Sequence, residues 1–431
     1  MTTRPWRCGL TLQAVLVAVV ACSSIAFGQD SANLRDDTAE RLLEALDERG
    51  MPDVSLWLLE RLAQPDAGIS AELRSELAYR KALALVGVGR TEPNAEKRRT
   101  TFEQAQQAID AFLASPVPQP PLPQGADELD QVAAEIAALD RETRRINAHI
   151  QQGKLRRERA RLLQAEAAKQ AKASISDQAG GWESPEAAAV FNEAVASFRA
   201  AERLITSSPI AAGKDDAAKA EVREAKPADA EAGEQDSLLA RVRQLLEQVD
   251  AAVGERRPRP ARGGRSRTEA SRLLREWQAG LSERQSGLQN KLLEVRLLLG
   301  EGLFEVASAL PVGSAQWLAA VEESIAVDKA MYEKYRTLLA GQFARVSQGR
   351  SEAALARAMP AEPDAAAGES ARDKQFTKAL ATLADVRALS GGGTVESLRA
   401  KAYNVSLECW LAMLSGDAYA SFDGLDDAGV R

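Results

Sequence analysis

Histidine and cysteine, which often carry catalysis, are scarce in this chain of 431 residues: it has one His and three Cys. The only histidine is His149, inside an amphipathic segment, and Cys409 stands in an apolar segment. We interpret the first as a solvated helix residue and the second as a buried structural thiol, because neither has the partners that a catalytic triad, a zinc site or an activated thiolate requires.

Other catalytic patterns are also missing. Carboxylates alternate with Arg and Lys, which is typical of solvated helix faces. The sequence contains no G-x-x-x-x-G-K phosphate loop and no G-x-S-x-G motif. We therefore predict a protein that is not an enzyme, with no catalytic residue, no cofactor and no metal.

One segment of the chain is strongly basic. Between residues 254 and 268 six arginines accompany a single acidic residue, Glu255; they are Arg256, Arg257, Arg259, Arg262, Arg265 and Arg267. This charge density attracts anionic surfaces such as acidic lipids or wall polymers. The segment has no aromatic residue for base stacking, which argues against nucleic acid. We interpret it as a solvated linker, with contact to an anionic partner as the alternative.

The first 28 residues have the pattern of a secretory signal peptide. Arg4 and Arg7 precede a short apolar stretch, and Ala26-Phe27-Gly28 provides a small-x-small cleavage pattern. We expect an exported protein, periplasmic or secreted. As an alternative, Val19-Val20-Ala21-Cys22 is similar to a lipobox, in which Cys22 would carry a lipid and anchor the chain to the envelope. Lipidation is the only membrane attachment that we predict.

Composition favours helices. The chain is 45% apolar but only 5% aromatic, carries a formal net charge of −7, and is rich in Ala, Leu, Glu and Arg. This is the composition of closely packed helices rather than of sheets. We predict an all-α fold in which helical hairpins stack and long helical arms alternate with disordered inserts.

Breaks in the apolar pattern divide the chain into successive segments. We predict a signal peptide (1–28), an N-terminal helical-hairpin unit (36–115), a Pro-rich linker (116–127), a long-helix hairpin (128–206), a flexible insert (207–236), a helix (237–253), the Arg-rich linker (254–268), a C-terminal helical unit (269–414) and a flexible tail (415–431).

The long helix that begins near residue 129 carries a coiled-coil spacing. Its apolar positions alternate three and four residues apart: Leu129, Val132, Ile136, Leu139, Thr143, Ile146 and Ile150. We interpret the helix as an arm packed within a repeat array. Dimerisation along this seam is the alternative.

Residues 296–386 hold consecutive amphipathic segments. In one of them, large side chains recur at three, four or seven residues: Trp317, Val321, Ile325, Tyr332 and Tyr335. We expect these side chains to be buried on one stripe. Gly300 and Gly302 in the preceding segment lower helix propensity, which predicts that a neighbouring helix approaches closely there.

This pattern resembles the tetratricopeptide repeat, a helix–turn–helix unit of about 34 residues in total. Leu299, Gly300 and Leu303 match positions of the first helix, although Arg296 stands where Trp is usual. Three groups are similar to second helices: Ala105, Ile109 and Phe112; Ala379, Leu383 and Val386; and, more weakly, Ser55, Leu59 and Leu62.

The resemblance implies an α-solenoid that binds proteins or peptides. Together with the predicted export, it suggests a non-enzymatic scaffold for protein–protein interactions in the cell envelope. The alternative is an assembly factor, associated with the wall or membrane, that contacts an anionic polymer or lipid through the Arg-rich linker.

Overall fold

The computed structural model describes residues 30–116, 128–173, 183–208, 210, 238–254, 267–360 and 370–415. Within these residues the predicted all-α class is confirmed: they form twelve helices and no β-strand. No described helix combines the length and the apolar character needed to cross a membrane. The helices are α1 Asp30–Glu48, α2 Pro52–Leu62, α3 Ala71–Thr91, α4 Ala95–Ala114, α5 Glu128–Ala173, α6 Pro185–Ser207, α7 Leu238–Gly254, α8 Arg267–Ser308, α9 Ala315–Tyr335, α10 Leu339–Ala358, α11 Ala371–Arg387 and α12 Thr394–Ser415.

The chain divides into two compact units, residues 1–116 and 117–431. The first contains α1 to α4, each packed against the next. Gly50, at φ +64°, makes the turn between α1 and α2, and the side chains of Ser70 and Asn94 cap α3 and α4. Leu43, Leu59 and other buried apolar side chains form its core.

In the second unit, α5 and α8 run parallel. Hydrogen bonds join Asp140 to Arg284 and Gln164 to the carbonyl of Ser308, and both pairs are separated by 144 residues in the sequence. A constant separation means that partner numbers rise together along both helices. Long polar side chains therefore hold the two arms in a fixed register.

Helix α6 packs antiparallel to both arms. Arg156 of α5 donates to Ser197 of α6 at 2.8 Å, and Arg296 of α8 donates to Glu202 at 2.8 Å. The ring of Phe198 lies between Gly153 of α5 and Gly302 of α8, where an added Cβ would meet ring atoms on the α5 side. Close approach at Gly302, as predicted from the sequence, is confirmed.

The coiled-coil spacing on α5 is satisfied inside the chain. Val132, Ile136, Leu139, Ile146 and Ile150 are buried in one core with side chains of α6, α7 and α8. The predicted segments 128–206 and 269–414 thus share a core. Because the seam is covered within one chain, it is not free to pair with a second copy.

From α8 onward the chain folds back at every turn. Helix α9 packs on α8, α10 on α9, α11 on α10 and α12 on α11, and α10 also contacts α8 and α12. The Leu274 to Leu303 stripe of α8 is buried at Leu274, Leu281, Val295, Leu299 and Leu303. We call α5 to α8 the long-arm bundle and α8 to α12 the C-terminal stack. The buried side chains of α8 pack in both.

Two sequence expectations need correction. Ile325, Tyr332 and Tyr335 are only partly buried. The buried line of α9 instead continues from Trp317 and Val321 through Ser324, Asp328 and Met331. The predicted flexible insert does not begin at residue 207: α6 includes Ser207, and Ile210 is fully buried. Gln285 of α8 donates to the carbonyl of Ile210 at 3.0 Å, which anchors this point.

Candidate interaction surface

A buried polar network fixes the relative position of α10 and α11. Glu352 of α10 is fully buried and accepts hydrogen bonds from Gln348 Nε2 at 3.0 Å and from Thr382 Oγ1 of α11 at 2.6 Å. Lys378 Nζ of α11 lies 3.5 Å from the same carboxylate, and Arg345 donates to the Gln348 side chain. Because buried polar groups are costly unless paired, this network specifies the register of α10 against α11.

Helix α12 completes the stack through one of its faces. A turn with two left-handed glycines, Gly391 at φ +147° and Gly393 at φ +61°, leads into it. Its inner face buries Leu398, Ala402, Ser406, Cys409 and Ala412. Arg357 of α10 pairs with Glu408 at 2.5 Å. The inner face is thus occupied by α10 and α11.

The outer face of α12 carries a second apolar row. Tyr403, Leu407, Trp410 and Leu414 follow one another at intervals of four, three and four residues, and they are 46%, 43%, 40% and 84% exposed. This interval places them along one stripe of the helix. We call this row, Tyr403 to Leu414, the α12 stripe. A helix that is apolar on both sides is typical of an element covered on both sides.

Arg387, the last residue of α11, borders the α12 stripe. Its guanidinium carbon lies 5.3 Å from the ring centroid of Trp410 and 6.0 Å from that of Tyr403. Arg387 Nη2 also donates to the carbonyl of Leu380 at 3.3 Å. These contacts hold a cation beside two exposed aromatic rings, so the surface combines an apolar row with a positive border.

The most perturbed acid of the unit lies in the core rather than on this surface. Burial raises the pKa of Asp328 well above its ordinary value, which the charge of Arg350 opposes and that of Glu301 reinforces. Its Oδ2 has no hydrogen-bond partner among the described residues. Asp328 belongs to no group of three potential metal ligands among the described residues.

The residues singled out for chemistry do not converge. His149 lies partly buried on α5, where burial lowers its pKa, a hydrogen bond with Gln152 opposes the shift and nearby arginines add to it. Its side chain is thus partly buried, where the sequence predicted a solvated one. Cys409 is fully buried, and burial raises the pKa of its thiol to about 11, so it has little thiolate character at neutral pH.

Two other predicted sites fall outside the described residues. These are Cys22, together with the whole of residues 1–28, and the arginines 256 to 265 of the Arg-rich linker. Arg267 is the first residue of α8. The contacts of these residues stay predictions.

No family model matches the chain, and no curated protein and no solved structure matches it either.

Sequence reasoning missed the α12 stripe although its signal is present. The segment lies in the predicted C-terminal helical unit (269–414), and its apolar residues at 403, 407, 410 and 414 were assigned to no separate face. A second set at 398, 402, 409 and 412 lies on the opposite side of the same helix. One helix with two apolar faces signals packing on both faces, and among the described residues α10 and α11 cover only the inner one.

Proposed function

We propose that this protein is an exported, non-enzymatic helical scaffold that binds a partner protein through the α12 stripe. The observation that carries the proposal is the row of four exposed apolar side chains on α12. Their inner-face neighbours already occupy the core, and between 40% and 84% of each side chain in the row stays exposed. Exposed apolar rows of this kind mark interaction sites.

The dimensions of the α12 stripe suit a helix. Eleven residues separate Tyr403 from Leu414, which corresponds to about 16 Å along a helix axis. An amphipathic helix that offers apolar residues at i, i+4 and i+7 would match this row. The Glu352 network joins α10 and α11, the two helices on which α12 packs, and a surface held in place in this way favours binding without rearrangement.

A tetratricopeptide-like solenoid remains part of the proposal. Successive antiparallel packing of α8 through α12 supports it, because repeat arrays stack each helix mainly on its neighbours. Such arrays need a polar outer face at each end for solubility. The α12 stripe is not polar, which agrees with an end surface that receives another helix.

The proposed location rests on the N-terminal pattern of residues 1–28. Export places the partner among proteins of the cell envelope. The chemistry of the described residues agrees with a binding role, since Cys409 is buried and the strongly perturbed acid Asp328 is enclosed.

Capture from an envelope fraction tests the proposal. The purified protein and a Leu407→Ser/Leu414→Ser variant would each be used as bait, and retained proteins would be quantified by mass spectrometry. Both side chains are exposed, so the variant should keep its fold. We expect a specific partner to be retained by the wild type and lost by the variant, at low and at physiological salt.

A Val312→Ser/Leu318→Ser variant is the matched control, because both residues are exposed elsewhere in the same unit. It should retain the partner. Equal capture by the wild type and the stripe variant would contradict the proposal. Capture that ignores the stripe substitutions and collapses as salt rises would assign binding to the Arg-rich linker instead.

A further inference from the structure

The positive border of the α12 stripe lacks counter-charges. Arg387 and Arg399 have no carboxylate partner within the described part of the chain. Arg399 stands one turn before Tyr403 on α12, and Arg387 lies beside Tyr403 and Trp410. An occupant of this surface therefore gains from acidic residues next to its apolar ones.

A second copy of the chain does not meet this requirement. A two-fold pairing of α12 stripes centred on Leu407 would bring the Arg387 residues of both copies together. Like charges in an interface oppose association unless other groups compensate. The charge pattern thus selects an acidic occupant over a self-pairing one.

The sequence that follows α12 has the complementary composition. Residues 416–431 contain three large apolar residues at intervals of three: Tyr419, Phe422 and Leu425. The same segment carries four aspartates, Asp417, Asp423, Asp426 and Asp427, against one basic residue, Arg431. It lies outside the described residues.

We propose that residues 416–431 of the same chain bind back onto the α12 stripe, with Tyr419, Phe422 and Leu425 on the apolar row and the aspartates at Arg387 and Arg399. The segment starts one residue after the end of α12, so it is always present at high effective concentration. Return in the antiparallel direction requires a turn, and Gly416 follows Ser415 directly.

The order of residues fits this direction. In an antiparallel return Tyr419 comes first, near Leu414 and Trp410, and Leu425 comes last, near Tyr403. Asp423, Asp426 and Asp427 then lie at the end of the row where Arg399 stands. From Tyr419 to Leu425 the segment spans about 9 Å as a helix, which stays within the row of about 16 Å and keeps the three side chains on one face, whereas an extended segment of about 20 Å would exceed the row.

This contact would make the α12 stripe a regulated surface. A partner helix would have to displace the segment, and the acidic residues would set how readily it does so. That regulatory consequence rests on the proposed function. The intramolecular contact does not, because it can be measured on the purified chain alone.

Site-specific photocrosslinking tests the contact. Leu407 would be replaced by p-benzoylphenylalanine in the full chain, and crosslinked peptides would be mapped by mass spectrometry. We expect crosslinks to residues 417–427 at monomer mass, with a yield independent of protein concentration. The same residue at Leu318, which is exposed to a similar degree on α9, should give none of them.

Removal of the aspartate charges from residues 416–431 is the second part of the crosslinking test. An Asp423→Asn/Asp426→Asn/Asp427→Asn variant should lower the crosslinking yield about threefold at low salt, and the difference should fade at high salt. No crosslink from position 407 above the Leu318 level would overturn the proposal, as would covalent dimers whose yield rises with concentration. A yield unaffected by the three Asn substitutions would also overturn it. None of these outcomes depends on whether an envelope partner is captured.

Discussion

The carboxyl group of Asp328 on α9 lies directly against the α-carbon of Gly300 on α8. A Cβ built at position 300 would be 2.9 Å from Asp328 Cγ and would overlap Oδ1. Ser324, one turn earlier, donates to the carbonyl of Gly300 at 3.1 Å. The absence of a side chain at Gly300 therefore sets how closely α8 and α9 approach.

Gly300→Ala should destabilise the second unit. The added methyl group must displace the Asp328 carboxyl group, and overpacking of this kind costs about 1–3 kcal/mol. Chemical denaturation would measure the change. Gly287→Ala on the same helix is the control, because nothing lies within 4 Å of the added Cβ; it should stabilise the protein by up to about 1 kcal/mol. Equal effects of the two substitutions would contradict the close approach.

Asp328→Asn should stabilise the folded protein near neutral pH. Burial raises the pKa of Asp328 well above its ordinary value of 3.8. For an acid whose pKa is raised on folding, the stability contribution is fully present below the unfolded pKa and is lost as pH rises through the folded pKa. Each unit of raised pKa corresponds to about 1.4 kcal/mol.

Urea denaturation of both proteins between pH 4 and 8 measures this effect. The variant should exceed the wild type by more at pH 7 than at pH 4. A difference that stays constant across this range, or a variant that is less stable at pH 7, would show that Asp328 is held as a carboxylate by Arg350.

Arg157→Met should destabilise the long-arm bundle strongly. Arg157 is buried on α5 and donates to Glu305 of α8 at 2.6 and 2.8 Å and to Glu301 at 2.9 Å. Its loss leaves the more exposed Arg161 as the partner of Glu305, and breaking a buried ion pair typically costs about 3–5 kcal/mol. The double variant Arg157→Met/Glu305→Met should regain much of this loss. Arg272→Met, which removes an exposed ion pair with Glu276, should cost less than about 1 kcal/mol.

The pH dependence of the Arg157 effect has a defined sign. Burial raises the pKa of Glu305, but hydrogen bonds and charge from Arg157 and Arg161 outweigh it and hold that pKa below 4.5. Stability from a lowered pKa is present above the unfolded value and is lost as pH falls through the folded value. The penalty of Arg157→Met should therefore shrink in acid. A penalty that grows as pH falls would contradict this assignment.

The helices of this fold follow from apolar periodicity, and the sequence predicts them well. The close approach at Gly300 and Gly302 was readable, because the cost of a glycine to helix propensity is local. The parallel register of α5 and α8 was not readable, since it depends on polar contacts such as Asp140–Arg284 across 144 residues. Those residues look like ordinary solvated charges in the sequence.

The buried line of α9 shows a second limit. The aromatic spacing predicted that Tyr332 and Tyr335 are buried, whereas the structure buries Asp328 and Met331. An aspartate is buried there only because Gly300 leaves room for it, which no local pattern reveals. The α12 stripe was missed for a related reason: periodicity shows that a side chain shares a face, but not which face is covered.

Trp317→Ala should lower the stability of helices α8 to α12 by more than any substitution on the α12 stripe does. Trp317 is buried on α9, where the Ser314 side chain caps the helix start and accepts from Trp317 N–H at 3.1 Å. Truncation of a buried aromatic costs about 3–5 kcal/mol. Thermal melting of the variant should show a large decrease in the transition temperature. A melt close to that of the wild type would mean that this end of α9 does not support the stack.

The central claim is that the α12 stripe binds a partner rather than stabilises the fold, and Trp410→Ala tests it most directly. Free energy of unfolding and retention of the envelope partner would be measured on the same protein sample, with Trp317→Ala alongside. We predict that Trp410→Ala changes the free energy of unfolding by less than about 1 kcal/mol and reduces partner retention at least about fivefold. A loss of stability as large as that of Trp317→Ala, with partner retention unchanged, would contradict the account.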